Sequence, residues 1–344
     1  MNAEPDLARP RLSSGSLRRS SLEAALGRAL LSVVTLGGSR ARLTVLTFHQ
    51  VAAEPDPLFP DVPDARLFES QIGWLAEFCT VLPLPEAASH LAAGHLAPRA
   101  ACITFDDGYA NNLEVAAPIL RRLRVPATFF IAGGAIDVGI MWNDLVIEGV
   151  RVARDDLDLT GVGLGRYPIG DAPSRRAAVQ AIIQKLKYRP LGQRLELARA
   201  VYSAGAGQHP PPRLMMTRAD VADLARQDFD IGAHTINHPI LNELHGDEAR
   251  REITRSYDWV KEVTGKPPRS FAYPNGRPGV DYAEQHVAMV ADAGFDVAVS
   301  TAWGCATRSS PMLQLPRVSL VERDRSGVWW RLAKTALDSY LRTA

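Results

Sequence analysis

Two adjacent carboxylates and two nearby histidines are the residues best suited to chemistry. Asp106 and Asp107 come directly after the apolar run Cys102–Phe105. His234 and His238 are four residues apart, a spacing that lets both imidazoles meet one metal ion. The second carboxylate could ligate that ion while the first stays free to act as a base.

Each pattern also has a simpler interpretation. The carboxylates could form an Asx-type turn with Gly108, and the two histidines could be unrelated. Taken together, Asp107, His234 and His238 give two imidazoles and one carboxylate, the set expected of a hydrolytic zinc site and suited to other divalent metals. Such a cation lowers the pKa of bound water and polarises a carbonyl, so the indicated reaction is amide or ester hydrolysis.

The elements that must position these residues alternate along the chain. Apolar runs predict strands at 43–48, 80–83, 100–105, 127–132, 229–233, 270–274, 296–300 and 315–318. Helical spacing is found at 67–78, 84–93, 112–124, 247–264, 281–293 and 326–342. This alternation predicts a parallel sheet closed, or nearly closed, into an α/β barrel. His49, the Asp106–Asp107 pair and His234 each follow a strand, so they should meet at the carboxyl-end rim.

The composition is that of a packed globular protein without a strong overall charge. Of 344 residues, 46% are apolar, and 39 Lys and Arg face 38 Asp and Glu. A chain so balanced has no global field to attract nucleic acid, which we do not expect as a partner. No protein partner is inferred.

Residues 1–42 form a basic segment ahead of the predicted barrel domain, 43–344. Its first twenty residues are expected to be disordered. From Ser20, a capping box and apolar residues at helical spacing predict a short amphipathic helix, with the apolar positions Leu22, Leu26, Leu30, Val33 and Val34. The helix is expected to pack on the domain or, as the second choice, to dock weakly on an anionic membrane surface. A secretory signal is interrupted by charges, so we expect a cytoplasmic location, with secretion left open.

Residues 140–215 break the strand–helix alternation. The segment has a glycine-rich stretch and helical patterns at 174–187 and 190–204, with no strong strand of its own. We interpret it as a helical insertion at the mouth of the barrel.

Two of these segments resemble a known family. Thr104–Tyr109 (Thr-Phe-Asp-Asp-Gly-Tyr) and His234–Pro239 (His-Thr-Ile-Asn-His-Pro) resemble the first two motifs of the polysaccharide deacetylases, carbohydrate esterase family 4. The likeness covers about residues 43–135 and 215–320. It implies a distorted (β/α) barrel of seven or eight units, in which Asp106 is the general base and Asp107, His234 and His238 hold a divalent metal. Zinc is the first choice, with cobalt, nickel or iron(II) as alternatives.

The remaining motifs depart from the family pattern. Where the family has Arg-Pro-Pro-Tyr-Gly, the matching stretch has Ala272 in place of the arginine. The resemblance implies that the backbone N–H of Asn275 helps to hold the oxyanion. Arg317 is the candidate to orient Asp106, unless it is a surface arginine. The family's late histidine is not recognisable, and Phe48-His49-Gln50-Val51 resembles a first-strand motif that presents an acid, so His49 is the candidate general acid, unless it only binds a loop.

Aromatic side chains near predicted strand ends could stack on sugar rings. The candidates are Tyr109, Tyr273, Trp142 and Trp303. Aromatic residues in barrels are more often part of the core, which is the alternative for each of them.

The predicted function is removal of acetyl groups from N-acetylhexosamine units of a bacterial surface glycan, such as an exopolysaccharide, or of its precursor. An acetylated carbohydrate is therefore the expected partner. The alternatives are a secreted chitin or peptidoglycan deacetylase and a sugar-binding pseudoenzyme on the same fold.

Overall fold

The computed structural model describes residues 14–343, with side-chain surroundings for residues 25–338. Residues 1–13 lie outside this range, so the prediction of N-terminal disorder is not addressed for them.

The strands of the described residues belong to a main sheet and a small hairpin. They are β1 (Thr44–Phe48), β2 (Thr80–Val81), β3 (Ala100–Phe105), β4 (Thr128–Ile131), β5 (Leu157–Leu159), β6 (Gly165–Tyr167), β7 (Asp230–Ala233), β8 (Ser270–Ala272), β9 (Val297–Val299) and β10 (Val318–Ser319). The main sheet has eight parallel strands in the order β10-β1-β3-β4-β7-β8-β9, with β2 beside β3.

The segment around residues 315–319 connects the two edges of the main sheet. Leu315 pairs with Val299 of β9, and Val318 of β10 pairs with Leu46 of β1. The sheet is therefore curled into the predicted distorted barrel. Arg317 lies on the connecting segment.

Helices cover the sheet and form most of the insertion. They are α1 (Ser14–Thr35), α2 (Ala65–Phe78), α3 (Leu84–Ala93), α4 (Ala117–Leu123), α5 (Gly133–Val138), α6 (Trp142–Val152), α7 (Ala172–Leu186), α8 (Leu191–Ala206), α9 (Arg218–Arg226), α10 (Gly246–Thr264), α11 (Glu284–Asp292) and α12 (Arg325–Thr343). The predicted helix at 112–124 is present, but its first part, Asn112–Ala116, is a π-helical turn.

Apolar side chains of adjacent strands pack in register through the core. The rings of Phe48, Phe105 and Phe129 stack across β1, β3 and β4, with centroid separations of 5.5 and 4.8 Å. All three are buried. Strands buried on both faces read as continuous apolar runs, which is why the sequence revealed them.

The insertion, residues 140–215, contains a hairpin that the sequence pattern did not indicate. β5 and β6 pair antiparallel, with Leu157 opposite Tyr167. Each strand has only three residues, so its alternation is too short to detect in the sequence. Buried residues of α6, α7, α8 and the hairpin form a hydrophobic cluster of their own.

Helix α1 starts before the predicted position and packs through a different face. It begins at Ser14, whereas Ser20 was the predicted start. Leu31 is buried, and Trp329 of α12 donates to the Gly27 carbonyl at 3.1 Å. Leu26 is 62% exposed, and Leu30 and Val33 are also exposed. Three of the five predicted apolar positions therefore face solvent, whereas Val34 packs against the core.

Among the described residues, none of the helices is both long and apolar enough to cross a membrane.

Candidate active site

The strand register brings the predicted chemical residues to one rim of the sheet. Phe48 pairs with Phe105, and Ile131 pairs with Ala233. His49, Asp106 and His234 each follow one of these paired positions, at the carboxyl ends of β1, β3 and β7. Parallel strands in register therefore place the three side chains next to one another.

Asp107, His234 and His238 converge on one point. Asp107 Oδ1 lies 3.5 Å from His234 Nε2 and 3.4 Å from His238 Nε2. The three ligand atoms all lie within 4.8 Å of one another, and the carboxylate and His234 are buried. This donor set, a carboxylate and two imidazoles, is the one expected of a hydrolytic zinc site.

Both histidines are prepared to act as neutral ligands. The Nδ1 of His234 lies 2.7 Å from the Ala272 carbonyl oxygen, so this nitrogen carries the proton and Nε2 presents its lone pair. Burial lowers the pKa of His234 to about 4. Burial, together with the charge of His234, lowers the pKa of His238 well below its ordinary value.

The carboxylates around this point fit a cation. Asp107 Oδ1 is buried and has no hydrogen-bond partner among the described residues. Burial raises the pKa of Asp107 well above its ordinary value, and the charges of Asp106 and Asp144 raise it further. A divalent ion bound here would offset the free-energy cost of burying the ionised carboxylate, because it supplies a positive charge next to it.

Left-handed backbone conformations concentrate at the site. Asp107 has φ +77°, Thr235 +61°, His238 +49° and Asn275 +58°. Non-glycine residues rarely adopt this region, and such strain persists where the surrounding structure requires it, often at functional sites. Two of the four residues are candidate metal ligands.

Arg317 reaches Asp106 from the segment that connects the sheet edges. Its Nη1 and Nη2 donate to the two carboxylate oxygens at 2.7 Å each. The guanidinium also donates to Thr104 Oγ1 and to the Ser300 carbonyl. Arg317 is 2% exposed, so it is not a surface arginine. Burial alone would raise the pKa of Asp106, but the charge and hydrogen bonds of Arg317, together with the charges of His234 and His49, hold this pKa well below the ordinary value.

His49 lies beside Asp106 and is open to solvent. Its Nε2 is 4.0 Å from Asp106 Oδ2, and its side chain is 57% exposed. The buried Asn112 donates from Nδ2 to the His49 carbonyl at 2.8 Å, which secures the backbone of this residue. An exposed imidazole at the rim can meet a substrate and exchange protons with water.

Asn275 lies close to the candidate metal ligands along the chain fold. It follows β8, whose Ala272 carbonyl contacts His234. The Thr301 hydroxyl donates to the Asn275 carbonyl at 2.8 Å. No acceptor for the Asn275 backbone N–H is found within residues 14–343. This N–H is therefore available to a ligand.

Two of the four aromatic candidates for sugar stacking are core residues. Tyr273 is fully buried, stacks on Tyr282 at 3.8 Å and donates to the Leu313 carbonyl. Tyr109 is also buried, and its hydroxyl donates to Asp144 at 3.1 Å. Neither ring has a face for a sugar, so this expectation was wrong for both.

Trp142 and Trp303 keep part of their surface accessible. One face of the Trp142 indole is covered by the guanidinium of Arg194, 4.7 Å from the ring centre. At most the other face remains for a sugar.

The sequence analysis missed Glu252, which secures the loop of His238. Its carboxylate accepts from the backbone N–H groups of Ile236 and Asn237 at 2.9 and 2.8 Å, and from Asn237 Nδ2 at 2.6 Å. Gly134 donates to the Ile236 carbonyl on the other side of this loop. Glu252 lies in a helix pattern rich in charges, so nothing in the sequence distinguished it.

Asp144 and Arg194 come from the insertion and were also missed. Burial raises the pKa of Asp144 to about 7, although its hydrogen bond from Tyr109 lowers it. Arg194 of α8 donates to the His238 carbonyl at 3.3 Å. Burial lowers the pKa of Arg194 to about 10, so it remains charged at neutral pH. These contacts join distant parts of the sequence and could not be read from local spacing.

The chain matches known sequences over much of its length. A family profile described as "Polysaccharide deacetylase" matches residues 93–155 and 196–298. YxkH of Bacillus subtilis (strain 168), whose name places it among polysaccharide deacetylases, is 21% identical over 280 residues. That alignment covers 81% of this chain and 71% of YxkH.

Solved structures share the fold. The Streptococcus pyogenes deacetylase PplD, solved in complex with acetate, matches with a TM-score of 0.58 and 16% identity, over 85% of this chain and 98% of PplD. IcaB from Ammonifex degensii matches with a TM-score of 0.54 and 17% identity, over 86% of this chain and 97% of IcaB. At these identities the likeness concerns the fold.

Proposed function

The chain belongs to the polysaccharide deacetylase family and is a hydrolase of C–N bonds in acetylated polysaccharides, and we propose that its substrate is an N-acetylhexosamine unit of a bacterial surface glycan or its precursor. The observation that carries the proposal is an ionised, oriented Asp106 beside the convergence of Asp107, His234 and His238.

The proposed reaction uses Asp106 as the general base. Asp106 accepts the proton of the attacking water, and the water oxygen forms a bond to the acetyl carbonyl carbon. The C–N bond then breaks as His49 donates a proton to the leaving amine, which gives acetate and a free amino sugar. Arg317 keeps the carboxylate ionised and correctly oriented.

We propose a divalent metal, zinc first, at Asp107, His234 and His238. When bound there, the ion would acidify water and polarise the acetyl carbonyl. The Asn275 backbone N–H is the proposed second donor to the developing oxyanion, a role that needs no side chain.

Arg317 also favours an enzyme over a sugar-binding pseudoenzyme. The resemblance left open how Asp106 is oriented without the family's usual arginine, and Arg317 supplies the bidentate contact. A binding protein would have no need for a buried base kept ionised by a buried cation, which is costly to desolvate.

Acetate release tests the proposal. Zinc-loaded protein should release acetate from N-acetylglucosamine oligomers, and Asp106→Asn should abolish release while the variant still binds one metal ion per chain. Metal content by elemental analysis separates loss of the base from loss of the metal. Absence of release by the zinc-loaded wild type from acetylated glucosamine, galactosamine and mannosamine oligomers would contradict the proposal.

We further propose weak docking of α1 on an anionic membrane at the cytoplasmic face. Leu31 packs inward, while Leu26, Leu30 and Val33 are exposed, as is Trp330 of α12. This arrangement leaves exposed apolar side chains within the basic N-terminal segment, residues 1–42. Flotation with vesicles of phosphatidylglycerol should recover the wild type and not the Leu26→Ser/Leu30→Ser variant, and phosphatidylcholine vesicles should recover neither.

A further inference from the structure

A small pocket opens directly beside the candidate metal centre, between the barrel and the insertion. It has a volume of 260 Å³. His238 forms part of its wall, and apolar side chains form much of the rest: Val138, Ile140, Met141, Leu191 and Leu195. A sugar residue joined to the one being deacetylated could extend into this space.

Arg194 is the charged residue in this wall. It is only 4% exposed, and its Nη2 donates to the His238 carbonyl. No carboxylate of the described residues is hydrogen-bonded to it, and Glu252 acts on it only through its charge. A guanidinium has five N–H donors, and the others on Arg194 have no acceptor among the described residues. Because Arg194 lines the pocket, these donors are open to a ligand that enters it.

Neighbouring residues restrict the position of the Arg194 guanidinium and leave its charge available to a ligand. The guanidinium lies over the Trp142 ring at 4.7 Å, which limits its movement. The nearby Glu252 carboxylate is occupied by three donors from the loop of His238. Its negative charge still opposes a dianion in the pocket, so the site is better matched to a ligand with one negative charge.

We propose that Arg194 and the pocket around it bind the carboxylate of an acidic sugar next to the acetylated residue, so that the substrate is an acidic glycan. This inference rests on the proposed deacetylase function and specifies its substrate class. Arg194 is a binding residue in this scheme, and Trp142 positions it. Planar, bidentate recognition by arginine suits a carboxylate.

The test uses two forms of one oligosaccharide. The acidic form alternates N-acetylglucosamine and glucuronate, and the neutral form is the same material with its carboxyl groups reduced to alcohols. The zinc-loaded wild type should show a kcat/KM about tenfold to a hundredfold higher for the acidic form. Arg194→Gln should remove this preference by lowering kcat/KM for the acidic form to the value for the neutral form, and Arg194→Lys should restore part of it.

Arg199→Gln is the matched control. Arg199 is exposed on the same helix, so the variant makes the same change in net charge without touching the pocket. It should retain the preference. Equal kcat/KM values for both forms, or a preference that survives Arg194→Gln, would overturn the inference while leaving the deacetylase function intact.

Binding provides a readout that does not depend on turnover. Calorimetry should show tighter binding of the acidic form to the wild type than to Arg194→Gln. Arg194-dependent binding without acetate release would support carboxylate binding in the pocket and contradict the proposed deacetylase function. Absence of both binding and release would contradict both proposals.

Discussion

Arg317 and Asp106 form a bidentate ion pair inside the barrel, with both N–O distances at 2.7 Å. The arginine comes from the segment that joins β9 to β1, so closure of the sheet and orientation of the base depend on the same residues. The position where the family usually has its arginine is Ala272, whose carbonyl contacts His234. The chain thus orients Asp106, the proposed base, from a different segment.

Arg317→Gln should move the acid limb of activity to higher pH. Burial raises the pKa of Asp106 and Arg317 lowers it, so the variant loses the ionised base at a pH where the wild type retains it. The pair also stabilises the fold above the ordinary Asp pKa, and this contribution is lost as pH falls through the lower folded value. Breaking it should cost about 3–5 kcal/mol of stability.

The measurement is kcat/KM against pH at a temperature where the variant is folded. Arg317→Lys should return the acid limb part of the way, because it restores the charge without the second hydrogen bond. A profile identical to that of the wild type would show that Arg317 does not set the ionisation of Asp106.

His49→Gln should slow amide hydrolysis more than ester hydrolysis. An amine leaving group needs a proton, whereas nitrophenolate does not, so only the amide reaction depends on a general acid. We expect a loss of about 10²–10⁴-fold in kcat on an N-acetyl oligosaccharide and a small loss on nitrophenyl acetate. Zinc content should stay at the wild-type level, since His49 is not among the candidate ligands. Equal losses on both substrates would assign His49 a different role.

The sequence predicted the barrel and the residues at its carboxyl-end rim, but it did not reveal the residues that hold those rim residues in place. β1 and β3 are mostly apolar, β7 is apolar after Asp230, and each is followed by a polar residue, so their positions were readable. Tyr109 and Tyr273 were misjudged because aromatic residues at strand ends can point into the core or out of it. Arg194 and Glu252 act through contacts between distant segments, which no local pattern reveals.

Glu252→Gln should weaken metal binding although the Glu252 side chain does not contact the candidate metal ligands. Its carboxylate holds the backbone of residues 236 and 237, next to His238. Loss of one acceptor oxygen should loosen this loop and lower zinc affinity about 10–100-fold, the usual effect of removing such a support. Glu243→Gln, a nearby exposed change, is the control. Competition with a zinc chelator measures both, and equal affinities would show that the loop needs no anchor.

Asp107→Asn should abolish the stabilisation of the protein by zinc. The wild type should gain about 2.7 kcal/mol at a free zinc concentration 100 times the dissociation constant, because the ion binds only the folded chain. In the zinc-free state the variant should be at least as stable as the wild type, since Asp107 Oδ1 is a buried oxygen without a hydrogen-bond partner in the described residues. Asp144→Asn is the control, because Asp144 is equally buried and is not a candidate ligand. Thermal unfolding with and without zinc measures the gain. A full gain in Asp107→Asn, or its loss in Asp144→Asn alone, would place the metal elsewhere.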